Sequence, residues 1–209
     1  ISVKYPGNLI KPLESVLKIF KTPVAALFLA FLGFYILLLC YKVKPWLAVA
    51  GALAYGFASY VFVVLSAGHN TKAYAMAYMA PIIGSVVYAF RRDALKGAAL
   101  MSLFLALQLM ANHLQITYYT FLIILVFGIF EFVSAIRSKA VSGFLKPLIM
   151  LAIGVILAVG INFSSIYTTW EYSKYSTRGI SELKKADSKE QKGLSREYIT
   201  QWSYGVDET

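Results

Sequence analysis

Six apolar runs set the terms for this chain: residues 24–41, 47–66, 73–90, 95–112, 116–136 and 147–166. Each is about 18 to 21 residues long, enough for a helix to cross the hydrocarbon core of a bilayer. Four carry no charge; the fourth run has Lys96 at its start, able to snorkel, and the fifth has Glu131 near its end. Backbone N–H and C=O groups in lipid must be satisfied within the segment, so such runs predict helices. Charged residues make up 14% of the 209, well below the roughly 25% of soluble domains. The expected fold class is therefore all-α, a polytopic transmembrane helix bundle of about six spans.

Charge orients the bundle. The net charge of +10 lies entirely in residues 1–161, which hold 13 Lys and Arg against 3 acids, whereas residues 162–209 hold 7 of each. The loops after runs one, three and five carry Lys42 and Lys44, then Arg91, Arg92 and Lys96, then Arg137, Lys139 and Lys146. The loops after runs two and four carry only Lys72. This asymmetry predicts a multi-pass protein of a bacterial cytoplasmic membrane with the basic loops inside. It explains the positive charge without nucleic acid. The loops with His69 and His113, and the tail, are then extracytoplasmic. Near the fifth run's end, Glu131 is expected to pair with Arg137 or Lys139.

Three regions follow: an outer-face interfacial segment at 1–23, the six-span bundle at 24–166 and an extracytoplasmic tail at 167–209. In "PLESVLKIFK", Leu13, Val16, Leu17 and Phe20 share a helical face, predicting a short helix lying on the membrane surface. Ala48, Ala52 and Gly56 recur every fourth residue, as do Gly154, Ala158 and Asn162, a spacing that lets helices approach closely. Pro81 should kink the third span, and Pro147 suits the first turn of the sixth. Beginning at Ile1 and closing on "WSYGVDET", the chain is expected to be a piece of a longer polypeptide.

Both histidines fall in polar breaks, "SAGHNTKAY" and "LMANHLQITYY", each beside an asparagine. The topology puts these breaks at one membrane face, together with "YTTWEYSKYSTRG". Lys72, Lys174 and Arg178 could hold a phosphate there. Asn70, Asn112 and Gln115 could bond hydroxyls, and His69 and His113 could shuttle a proton. Tyr118, Tyr119, Trp170 and Tyr172 could stack on a sugar. Glu171 and Glu182 are the carboxylates at hand for base or metal work. The inventory suits a phosphate-linked, polyhydroxylated lipid headgroup. Plainer readings stand beside it: histidines as helix-end caps, tyrosines and Trp170 as belt anchors, Glu171, Lys174 and Arg178 as a solvated ladder, and Asn112 and Asn162 as interhelical bonding partners. Phosphate-binding glycine loops, HExxH and GxSxG are absent, and the single Cys40 rules out an internal disulfide or a cysteine zinc site. No metal ligand set is assigned.

The segments "ISVKYPGNLIKPL", "LGFYILLL", "KPWLAVAGALAYGFASY", "AGHNTKAYAMAYMAP", "ANHLQITYYT", "NFSSIYTTWEYSKYSTRGISEL" and "GLSREYITQWSYGVDET", in this order, resemble the YfhO-type bacterial membrane protein family in its Bacteroidetes-like form. That resemblance implies a GT-C-type glycosyltransferase. Such enzymes move a sugar from a polyprenyl-phosphate-linked lipid donor to a cell-envelope glycan or polymer such as lipoteichoic acid. It further implies a catalytic carboxylate in a first outer loop that would precede Ile1, so no catalytic base is assigned. It leaves a divalent cation open as cofactor. The substrate-binding positions are expected to be His69, Asn70, Lys72, Asn112, His113, Gln115, Glu171, Lys174 and Arg178. A transporter or flippase for a lipid-linked substrate is the alternative, and it calls for polar groups deep in the spans. Mid-span polar content is slight, with Ser59, Ser85 and Ser102 as the examples and no charge, which argues against it. A non-catalytic membrane scaffold is the third.

Overall fold

The computed structural model describes residues 10–17, 20–173 and 200. Among them are the helices α1 (Lys11–Leu17), α2 (Val24–Cys40), α3 (Pro45–Gly56), α4 (Ser59–Ser66), α5 (Asn70–Arg91), α6 (Ala94–Met110), α7 (Leu114–Arg137), α8 (Val141–Ile161) and α9 (Phe163–Ser173). The chain divides into two units, Ile1–Phe163 and Ser164–Thr209.

In the first unit α5 is the central helix. It packs against α2, α6 and α7, and 72% of its apolar stretch is buried. Small residues make this possible. A methyl group on Gly33 would lie 2.7 Å from the Ala77 carbonyl, one on Gly84 3.0 Å from Leu37 Cα, and one on Gly97 2.5 Å from Ala89 Cα. Pro81 has no N–H for the Ala77 carbonyl, and Gly33 of α2 lies against that same oxygen. The Ser85 hydroxyl in turn donates to the Pro81 carbonyl at 2.7 Å. Both small-residue rows of the sequence are buried: Ala48, Ala52 and Gly56 in α3, and Gly154, Ala158 and Asn162 at α8. Asn162 Nδ2 donates across helices to the Ala106 carbonyl at 3.0 Å and within its own helix to Ala158 at 3.0 Å.

The apolar surface faces outward on the other helices. Along α7 only 6% of the apolar stretch is buried, and Leu125 and Phe130 are 59% and 71% exposed. A surface of that size and composition is at home in lipid and not in water. The chain is accordingly a helical, multi-span membrane protein. By length and composition α5, α7 and α8 can each cross a bilayer, and α3 with α4 make a fourth crossing if the bent pair is one span. This is fewer than the six expected. Helices α2 and α6 are apolar but 17 residues long, about 25 Å at 1.5 Å per residue against a core of about 30 Å. Polar turns shorten them: Lys42 and Asn112 take positive φ of 62° and 54°, and Asp93 caps α6 by accepting from Lys96 N–H at 2.9 Å.

Three local expectations also change. The second run is not one straight helix: it breaks after Gly56, with a 44° bend before Ser59. Phe57 at the break packs edge-on against Phe31 and stacks on Phe62. The sixth run begins earlier, at Val141, so Pro147 sits in the second turn of α8, and the helix stops at Asn162 instead of reaching Ile166. Glu131 pairs with Arg91 at 3.3 Å, not with Arg137 or Lys139, because α5 and α7 run in the same direction and bring their C-terminal ends together. Arg91 also lies over the rings of Tyr41 and Phe127, at 5.6 and 5.9 Å.

The short helix α1 is observed over Lys11–Leu17, with Leu13, Val16 and Phe20 exposed. In the second unit, the described α9 is amphipathic and exposes Tyr167, Trp170 and Tyr172.

Candidate functional site at the histidine end of the bundle

The two polar breaks meet. Because α5 and α7 are parallel, their N-termini share one end of the bundle, opposite the Arg91–Glu131 pair. His69 immediately precedes α5 and His113 immediately precedes α7. Each holds the N-cap position, as the helix-end-cap reading has it, but neither side chain makes a capping hydrogen bond. Partial desolvation first, and then electrostatic interaction with Lys72 and His69, lower the pKa of His113 below the usual imidazole value. Its Nε2 is buried without a hydrogen-bond partner.

Lys72, half-buried in the first turn of α5, lies over the Tyr60 ring at 5.1 Å. His69, Asn70, Asn112 and Gln115 are exposed. Asn112 makes the α6–α7 turn in the left-handed region that asparagine tolerates, so it is a turn residue and not an interhelical bonding partner. Gln115 Nε2 donates to Tyr119 Oη at 2.8 Å. Tyr118 and Tyr119 stand exposed side by side, ring centroids 5.8 Å apart. Thus His69, Asn70, Lys72, Asn112, His113 and Gln115 gather at one end. Glu171 is exposed on α9 in the second unit, and Lys174, Arg178 and Glu182 lie outside the described residues.

Beneath these loops is a buried polar set that the sequence reading passed over. Gln108, fully buried, donates through Nε2 to the Ala75 carbonyl at 2.9 Å and to Thr120 Oγ1 at 3.2 Å, and its Oε1 is unpaired. Thr117 Oγ1 and Tyr78 Oη are likewise buried and unpaired. Thr22 and Tyr74 share a 2.7 Å hydrogen bond. The signal was available: Gln108 is an amide well inside the fourth apolar run, and His113, Thr117 and Thr120 share a face at helical spacing. Among the described residues no three His, Cys, Asp or Glu side chains gather as a metal site.

Fold and site together define a polytopic helical membrane protein with a buried polar set beneath the loops of its histidine end. Comparison with protein-family models, with curated proteins and with solved structures gives no match.

Proposed function

We propose that this chain is the membrane core of a YfhO-like, GT-C-type glycosyltransferase, taking a polyprenyl-phosphate-linked sugar at the histidine end of the bundle. The observation that supports it is the convergence of Lys72, His69 and His113, close enough for their charges to interact. The ordered sequence resemblance supports the same reading. The basic loops are cytoplasmic and the histidine end extracytoplasmic. Lys72 neutralises the lipid phosphate as the bond between its oxygen and the anomeric carbon breaks. An acceptor hydroxyl of the envelope polymer forms the new bond to that carbon, and its proton passes to the released phosphate. The exposed pair Tyr118 and Tyr119 offers the sugar a stacking face.

Transport of a lipid-linked substrate requires polar groups near the midplane. Most of the buried polar set instead belongs to one end: Gln108 is two residues from the end of α6 and Thr117 is in the first turn of α7, while Tyr78 lies deeper, near the middle of α5. That placement favours recognition at a face over passage through the bundle.

The test is native mass spectrometry of the full chain, gently extracted, followed by transfer of a radiolabelled sugar from a polyprenyl phosphate. A lipid-sugar adduct in wild type that is lost in Lys72→Ala, with transfer lost in parallel, is the expected result. Wild-type protein with neither adduct nor transfer defeats the proposal.

A further inference from the structure

Two bends in the chain bring Tyr60 and Lys72 together. The helix of the second apolar run stops at Gly56, and Ala58 takes an extended backbone (φ −58°, ψ 136°) before α4 begins at Ser59. The 44° break turns α4 out of line with α3. After α4 the chain passes into α5 through Gly68, whose φ of 73° suits glycine. The His69 N–H closes this turn by donating to the Val64 carbonyl at 3.0 Å. Val61 and Val64 of α4 are buried and share a small cavity with Ala73 and Ala77 of α5. Beside Val61, in the first turn of α4, Tyr60 is 52% exposed. Its ring centroid lies 5.1 Å from Lys72 Nζ.

A lysine head swings on a flexible four-carbon stem and carries three N–H donors. An aromatic face attracts it and confines it to one region. Held by the ring on one side, the ammonium keeps donors for an anion on the other. From this position Lys72 also interacts electrostatically with His113.

We infer that Tyr60 is a positioning residue for Lys72, its ring holding the ammonium where a lipid phosphate meets it at the histidine end. The inference rests on the phosphate recognition of the proposed function. It assigns the effect to the aromatic ring and not to the phenol hydroxyl. A cation placed before the ligand arrives lowers the ordering cost of binding. Anchoring in the interface, the other role of a tyrosine near a membrane face, needs no lysine.

Binding of farnesyl phosphate to the full chain in nanodiscs tests it, with farnesol as the same tail without the phosphate. Tyr60→Phe should bind farnesyl phosphate as wild type does. Tyr60→Leu, similar in apolar character but without a π face, should bind it about fivefold more weakly and leave farnesol binding unchanged. In a Lys72→Gln background, Tyr60→Leu should have no further effect. The Cε resonance of isotope-labelled Lys72, assigned by its loss in Lys72→Gln, should show a ring-current shift in wild type and Tyr60→Phe that disappears in Tyr60→Leu. Wild-type affinity in Tyr60→Leu, or an equal loss for farnesyl phosphate and farnesol, overturns the inference and leaves Tyr60 an interfacial anchor. Tyr60→Phe as weak as Tyr60→Leu also overturns it, because the hydroxyl would then be responsible. Wild type that binds no farnesyl phosphate defeats the proposed function and this inference with it. Ring-dependent binding without sugar transfer defeats glycosyl transfer alone.

Discussion

The contact between α5 and α6 is the tightest in the bundle, and Gly97 sets it. A Cβ at this position would stand 2.5 Å from both Cα and N of Ala89 and 2.6 Å from its Cβ. These are backbone atoms or atoms fixed to them, so no rotamer change can clear the space. Gly97→Ala must therefore push α6 about 1 Å away from α5, and a gap of that size forfeits a quarter to a half of the dispersion energy of each contact it opens. Overpacking of this kind costs about 1–3 kcal/mol. Against it stands the gain of about 0.5–1 kcal/mol from replacing a helical glycine by alanine. Gly128→Ala isolates that gain, since nothing lies within 4 Å of its added methyl. The two variants should then differ by about 1–3 kcal/mol, Gly128→Ala above wild type and Gly97→Ala below it. Reversible unfolding in mixed micelles, followed by circular dichroism, measures the difference. Equal stability of the two would refute the close α5–α6 approach.

Two further outcomes follow from single side chains. Asn162→Ala removes the bond from α8 to the Ala106 carbonyl and should lower stability by about 1–2 kcal/mol in the same unfolding measurement. Asp93 is held below the usual carboxylate range, first by the Lys96 backbone N–H it accepts and further by the charge of Lys96. Its cap therefore stabilises the fold above roughly pH 4, the unfolded value, and is lost as pH falls through the lower folded value. Asp93→Asn should flatten that acid limb of the stability profile.

Helix positions were legible because lipid leaves the backbone one economical solution, and the small-residue rows were legible because close packing needs them every fourth residue. Span lengths were less so. Residues 24–41 and 95–112 are apolar enough to look like full spans, yet the turns at Lys42 and Asn112 adopt positive φ, and hydropathy carries no backbone angle. The partner of Glu131 was missed for a different reason. Arg137 and Lys139 are near in sequence, but a parallel α5–α7 pairing brings in Arg91, 40 residues away. At the histidine end, charge counting alone brought His69, Lys72 and His113 together, because loop polarity determines which breaks share a face. It could not find Gln108 and Thr117, whose chemistry depends on burial. An amide in an apolar run looks minor until its donors and acceptor are counted.

That burial also gives the histidine end a reporter. His113 titrates low first because its ring is partly desolvated, and then through electrostatic interaction with Lys72 and His69. The folded state thus favours the neutral ring. Its contribution to stability is complete above about pH 6.5, the unfolded value, and is lost as pH falls through the depressed folded value. Removing one cause should move the titration in a known direction: in Lys72→Gln the His113 midpoint should rise, read from the imidazole resonances of histidine-labelled protein. A phosphate bound between these groups should act more strongly in the same direction, since an anion favours the imidazolium that Lys72 opposes. Titrating the wild type with and without a polyprenyl phosphate separates structure from function. A midpoint that rises in Lys72→Gln but does not respond to the lipid would leave the cluster in place while removing phosphate recognition from it. A midpoint unmoved by Lys72→Gln would show that the two polar breaks do not meet electrostatically, and the site itself would fall.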